Sequence, residues 1–116
     1  MNYEWLENYC LQKPGTIKEY KVEWECYRYM VGGKMFLMDG TNNLGQAILT
    51  LKLDPAFGDM LRQQYKEIII PGYYMNKVHW NSIIKEEDIP VDEVKHMIDE
   101  SYELIFRSLS KKTKKR

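Results

Sequence analysis

Twelve consecutive residues, Pro71-Gly72-Tyr73-Tyr74-Met75-Asn76-Lys77-Val78-His79-Trp80-Asn81-Ser82, concentrate the recognition chemistry of this chain. Lys77 offers a point charge to phosphate, the amides of Asn76 and Asn81 can bond sugar and backbone oxygens, and a ring such as Tyr73 can stack on a base. Histidine is the side chain whose unperturbed pKa lies near neutrality, so His79 could serve as a general base or a metal ligand. Each of these polar groups, if buried, demands a hydrogen-bond partner. A segment this polar is therefore either a self-satisfied turn or a surface that touches something. Both readings stand for the asparagines, because Asn also satisfies the backbone of irregular turns.

Catalysis draws little support from spacing. No His, Cys or carboxylate lies at ligand distance from His79 along the chain, and His96 falls on a separate helix beside Asp92. A structural histidine bonding a carbonyl is the expectation, with no metal and no cofactor. Ser82, Ser101, Cys10 and Cys26 lack a neighbouring base or an oxyanion motif. Gly32-Gly33 precedes a strand rather than a helix, so it cannot cradle a phosphate at a helix N-terminus. The residues point to a protein that binds rather than one that catalyses.

The elements that must position this segment can be read from periodicity. Asn2 can cap a first helix whose stripe is Trp5, Leu6, Tyr9 and Cys10, ended by Pro14-Gly15. From residue 20 to 53 the pattern is strand. Val22 and Trp24 open it, and Tyr27, Tyr29 and Val31 alternate with Arg28 and Met30. Gly32-Gly33 then makes a two-residue hairpin turn. Residues 34–38 return antiparallel, 39–43 form a loop, and 47–53 alternate again. Asp54-Pro55 starts a second helix, with Phe57, Leu61 and Tyr65 on one face and Gly58 weakening it by up to ~1 kcal/mol. A short strand at 68–70 stops at Pro71-Gly72, a type II turn pair. The strand at 79–84 places Trp80, Ser82 and Ile84 on one face and His79, Asn81 and Ile83 on the other. Trp80 is expected beneath the longest helix, which runs from Pro90 to about residue 109 with the stripe Val94, Met97, Ile98, Ile105 and Leu109, flanked by Tyr102. This order predicts an α+β, two-layer sandwich, an antiparallel sheet with helices on one face.

Composition bounds the rest. A chain of 116 residues with 44% hydrophobic and 13% aromatic content is one domain with a real core. It is read as a single domain over 1–110 followed by a basic, disordered tail at 111–116. No apolar run approaches the ~20 residues of a membrane span, so no membrane partner is expected. Two cysteines without a CxxC pattern suggest a reducing, cytoplasmic setting. Formal charge is zero, yet the last six residues hold five of the 17 basic side chains. The body at 1–110 keeps 12 basic against 17 acidic residues, a formal −5. That balance runs against a broad basic face.

Several blocks together resemble a known family. They are Tyr3-Glu4-Trp5-Leu6-Glu7-Asn8-Tyr9-Cys10-Leu11, Lys13-Pro14-Gly15, Val31-Gly32-Gly33-Lys34-Met35-Phe36, Lys52-Leu53-Asp54-Pro55, Pro71 to Lys77, His79-Trp80-Asn81-Ser82-Ile83 and Ser101-Tyr102. In order and in content they are similar to the small MmcQ/YjbR-like proteins, over nearly the whole chain. The resemblance implies a CyaY-like (frataxin-like) fold and DNA binding through a double wing of hairpins. Frataxin-type iron binding uses an acidic ridge on the first helix. Here that helix has only Glu4 and Glu7, so no iron site is expected.

The expected function is thus a non-enzymatic DNA- or nucleic-acid-binding module of modest, salt-dependent affinity. Its contact residues would be Arg28, Lys34, Tyr73, Asn76, Lys77, His79 and Asn81. The Gly32-Gly33 hairpin acts as a wing only if Arg28 and Lys34 face the same groove as Lys77. The alternative is a protein- or small-ligand-binding module in which the same segment lines a concave pocket. That alternative needs no basic surface.

Overall fold

The computed structural model describes residues 2–72 and 75–109. Along the chain run α1 (Leu6–Leu11), β1 (Thr16–Lys21), a 3₁₀ turn (Val22–Trp24), β2 (Cys26–Val31), β3 (Lys34–Thr41) and β4 (Ala47–Lys52). Then come α2 (Pro55–Gln64), β5 (Ile69–Pro71), β6 (Trp80–Ile84) and α3 (Val91–Arg107). The strands form one sheet in the order β1-β2-β3-β4-β6-β5, and every neighbouring pair is antiparallel. Helices pack on one face of it around a single large core. The α+β sandwich expected from the pattern is the observed architecture. Tyr73 and the tail at 111–116 lie outside the described residues.

Local chemistry explains most boundaries. The Asp54 carboxylate accepts from the Ala56 and Phe57 amides at 3.2 and 3.4 Å, and Pro55 follows at the first helical position. Gly32 and Gly33 both have positive φ, 58° and 80°, the backbone of the tightest hairpin between twisted strands. The buried face of α3 takes in Val94, Met97, Ile98 and Ile105 as its spacing predicts, and Tyr102 belongs inside it at 2% exposure.

A β-bulge prepares the sheet for α3. Leu37 pairs with Tyr29 and Met35 with Met30, so Phe36 is an extra residue in β3. Phe36 and Leu37 both enter the core as a result, each fully buried. The bulged Phe36 carbonyl accepts from Ser101 Oγ at 2.6 Å, and that same oxygen accepts from the Lys52 amide at 2.9 Å. One buried hydroxyl thus fastens α3 across β3 and β4.

Five expectations are corrected. The first strand is Thr16–Lys21, and Val22 and Trp24 form the turn after it. Glu25, in the left-handed region at φ 50°, lets the chain reverse there. Residues 39–41 are not loop but the end of β3, paired to Leu49, Ile48 and Ala47. Gly40 permits this because a Cβ there would meet Cys26 Cβ at 2.8 Å. Pro71-Gly72 is not a type II turn: Pro71 pairs with Asn81 at the sheet edge, where its missing N–H is harmless. Finally, His79 lies in the turn before β6, and the faces of β6 are reversed from expectation. Asn81 and Ile83 sit opposite Leu51 and Leu49 and point at the helices, whereas Trp80, Ser82 and Ile84 point away. Trp80 is half-buried on the helix-free face rather than under α3.

Candidate functional site: a cleft on the helix-free face

The signature segment is held by a turn that satisfies itself. Asn76 Oδ1 accepts from the Val78 amide at 2.8 Å, and the Asn76 carbonyl accepts from the His79 and Trp80 amides at 3.3 and 2.9 Å. Asn76 is exposed but spends its side-chain oxygen on the backbone, as turn asparagines do. Arg62, in the last turn of α2, fastens the segment from below. Its guanidinium donates to Asn81 Oδ1 at 2.7 Å, to the Lys77 carbonyl at 2.6 Å and to the Trp80 carbonyl at 3.1 Å.

The anticipated contact residues consequently part company. Asn81 is fully buried between Arg62, Gly58 and the His79 carbonyl, to which its Nδ2 donates at 3.2 Å. His79 is half-buried, and its carbonyl also accepts from the Leu53 amide at 2.8 Å. Arg28 donates to Glu19, its cross-strand partner, and its guanidinium carbon lies 5.8 Å from the Trp24 ring centre. Its charge is therefore matched locally. Lys34 sits at the tip of the β2–β3 hairpin with Nζ 3.4 Å from Ser108 Oγ, toward the end of α3. Lys77 stands on the opposite side of the sheet, exposed, with no acceptor for its ammonium among the described residues. Arg28, Lys34 and Lys77 do not share one groove.

What Lys77 does face is a cleft of about 170 Å³. Its floor is Ile48, Ile70 and Ser82, one wall is Pro71-Gly72, and the other is the loop from Asn42 to Gln46. That loop ties itself together. Asn42 Oδ1 accepts from the Leu44 and Gln46 amides, both at 3.0 Å, while Asn42 Nδ2 donates to Gln46 Oε1 at 3.0 Å. Gly45, at φ 75°, closes it with an amide bond to the Asn42 carbonyl. Leu44 projects at its tip, 77% exposed. At the floor Ser82 Oγ and Thr50 Oγ1 are 2.7 Å apart, both buried.

Sequence reading missed this loop as a wall. The usable signal was Asn42 followed by Gly45 with an apolar residue between them, an Asx-type turn offering a leucine to solvent. It also missed the join between α1 and α3, where Asp99 Oδ1 accepts from Tyr9 Oη and Lys13 Nζ, each at 2.6 Å. Burial first, then that bond, pushes the Tyr9 hydroxyl well above its ordinary range. Burial likewise raises Cys10 to about 12 and moves Cys26 upward. These groups stay protonated near neutrality. His96 stands with Glu100, 3.5 Å away, and with Phe57, 5.2 Å between ring centres, rather than with Asp92. Among the described residues no three His, Cys, Asp or Glu side chains gather closely enough to hold a metal ion. No described helix is long and apolar enough to cross a membrane.

Comparison with known proteins agrees with the fold. The uncharacterized protein YjbR of Escherichia coli K12 is 26% identical over 110 residues, which cover 95% of this chain and 92% of that protein. The uncharacterized protein YbdF of Escherichia coli O157:H7 is 35% identical over 88 residues, covering 76% and 70%. The crystal structure of DR2400 from Deinococcus radiodurans, with a DUF419 domain, superposes with a TM-score of 0.82 at 26% identity, over 93% of this chain and 81% of that one. The sequence profile described as YjbR matches residues 11–104, far more than half of the chain. The protein therefore belongs to the YjbR family.

Proposed function

We propose that this YjbR-family domain is a non-enzymatic binding module whose recognition site is the cleft between the 42–46 loop and Pro71, Gly72, Lys77 and Ser82, and that it takes a small ligand in a cytoplasmic setting. One observation carries the reading. Lys77, Ser82 and the loop amides converge on a single concavity with an apolar floor, while Arg28 and Lys34 lie apart from it. A mostly apolar pocket with a few convergent polar groups is the usual form of a small-ligand site. The acidic body suits it, because such a site needs no basic field around it. Tyrosines and thiols held protonated by burial supply no activated nucleophile or base. The test is a set of amide ¹H–¹⁵N spectra of the full chain titrated with short carboxylates, amides and alcohols. Saturable shifts grouped at Leu44, Ile70, Gly72 and Ser82 support the site; shifts scattered elsewhere, or none, end it.

Nucleic-acid binding through separate basic features is the second reading, because Arg28, Lys34 and Lys77 do not form the shared groove a double wing needs. It is favoured by the exposed Gly32-Gly33 hairpin carrying Lys34, by exposed Lys77 and by the basic residues at 111–116. Fluorescence anisotropy on duplex and single-stranded DNA separates the contributions. Full-length protein, a 1–110 truncation and Lys77→Ala are compared at two salt concentrations, because phosphate contacts release counterions. Absence of affinity at low salt removes this reading. Affinity confined to the last six residues removes the folded domain from this reading.

A further inference from the structure

We infer that the cleft selects a small organic anion, a single carboxylate or comparable headgroup on a short apolar body, with Lys77 as its charge partner. This rests on the cleft being the recognition site and names the class of ligand it takes. The argument is an inventory of donors and acceptors. No Asp or Glu lines the cleft, and Lys77 brings a full positive charge to its rim. The orientation of the loop amides follows from the backbone. Two N–H groups, those of Leu44 and Gln46, point at one end of the Asn42 side chain, so that end must be oxygen. Its other end is then the NH₂ group, which donates to Gln46, so Gln46 presents its oxygen to Asn42. What Gln46 has left is its own NH₂ group, a donor with no acceptor among the described residues.

The floor follows the same logic. Thr50 and Ser82 share one hydrogen bond, and Thr50 is fully buried while Ser82 lines the cleft. Either hydroxyl can donate in that bond, and in the arrangement where Thr50 donates the Ser82 proton is available to the cleft. The site thus offers an ammonium, an amide NH₂ and a hydroxyl, and the Asn43 amide adds one donor group and one acceptor oxygen. A donor-rich, acid-free cavity complements an anion, and charge-assisted hydrogen bonds of this kind are the strong ones. Ile48, Ile70, Pro71 and the overhanging Leu44 make the apolar part of the lining and match a hydrocarbon body. Size sets the upper limit. At 170 Å³ the cleft is below the ~300–1,000 Å³ of drug-sized sites and holds the liquid volume of about six waters.

The experiment titrates the full chain with 3-methylbutanoate, with its neutral isostere 3-methylbutanamide, and with inorganic phosphate, following amide shifts at Leu44, Gln46, Ile70 and Ser82. The carboxylate is expected to bind about tenfold more tightly than the amide, the ratio a charge-assisted bond supplies. In Lys77→Gln that advantage disappears, while the rest of the spectrum stays that of the folded protein. Equal affinity for carboxylate and amide overturns the anion class and leaves the cleft standing as a binding site. Phosphate binding as tightly as the carboxylate overturns the requirement for an apolar body. Absence of saturable shifts with all three overturns the cleft as a binding site, and this inference with it.

Discussion

Arg62 Nε donates to the buried Asn81 Oδ1 at 2.7 Å, and this bond joins α2 to the strand that ends the signature segment. The same guanidinium reaches the carbonyls of Lys77 and Trp80, so one side chain serves three acceptors along five residues. A planar fork of donors can do this where a lysine cannot. Arg62 is thus a positioning residue for the cleft: it holds the backbone from which Lys77 projects.

Removing that fork should loosen the segment. Arg62→Met keeps much of the aliphatic stem but strands the Asn81 oxygen, and it is expected to cost about 2–3 kcal/mol in urea melts. Amide exchange at residues 77–81 should rise more than in α3. An unchanged urea midpoint would show that water replaces the guanidinium at little cost.

Gly58 tests the same seam by overpacking. Helix propensity alone makes Gly58→Ala stabilising by about 1 kcal/mol. A Cβ there, however, would stand 3.1 Å from Asn81 Oδ1 and 3.2 Å from Nδ2. Asn81 cannot retreat, because Arg62 and the His79 carbonyl hold both ends of its amide. Net destabilisation on the order of 1 kcal/mol is expected, changing sign to a gain when measured in an Asn81→Ala background. A stabilised Gly58→Ala in the native background would sink the account.

Gly72 lies against Trp80, and the contact leaves no room for a side chain. A Cβ at Gly72 would meet Trp80 Cβ at 2.8 Å and the Trp80 carbonyl oxygen at 3.0 Å, while the Gly72 amide donates to that oxygen at 2.8 Å. Gly72→Ala should therefore cost about 1–3 kcal/mol and disturb the cleft wall. Trp80→Ala, at a half-buried site away from the helices, should cost less than the ~3–5 kcal/mol of a fully buried tryptophan. Thermal melts of the two variants decide both statements.

Ser101 is the polar group α3 cannot spare. Its hydroxyl donates to the Phe36 carbonyl in the buried interior and accepts from the part-buried Lys52 amide. Ser101→Ala leaves two backbone groups without that partner and should cost about 1–3 kcal/mol. A cost within 0.5 kcal/mol, as at an ordinary surface site, would mean that neither bond contributes.

Stability should fall on the alkaline side. Burial pushes the Cys10 thiol up from 9.0 to about 12, against the pull of Lys13, and the Tyr3 hydroxyl up from 10.0 to about 12. A folded pKa above the unfolded one means that the unfolded chain sheds these protons first. Stability is then fully present below about pH 9 and is lost as pH rises toward 12. Urea midpoints at pH 8 and pH 11 should show the decline, with a shallower slope in Cys10→Ala. A flat profile would contradict it.

Much of the fold was legible because local chemistry had one solution. The Asp54-Pro55 cap, the Gly32-Gly33 hairpin and the stripe of α3 each depend on neighbours within a few residues, and all are observed. β1 was placed too late along the chain because it is an edge strand with solvent on both sides. Ile17 and Tyr20, on opposite faces, are each at least half exposed, so alternation carries no contrast there. The pairing of faces along β6 was legible too, but not which face meets the helices. Period-two alternation separates Trp80, Ser82 and Ile84 from Asn81 and Ile83, yet the choice between the sets belongs to whatever packs on each. Asn81 can point inward only because Arg62, nineteen residues earlier, arrives to bond it. The cleft likewise needs β4 and β6 to pair before the 42–46 loop can face Lys77. Sequence alone determined most of the elements and the polar segment; tertiary structure decided which of its described side chains, such as Asn81, are spent on the fold and which, such as Lys77, stay exposed.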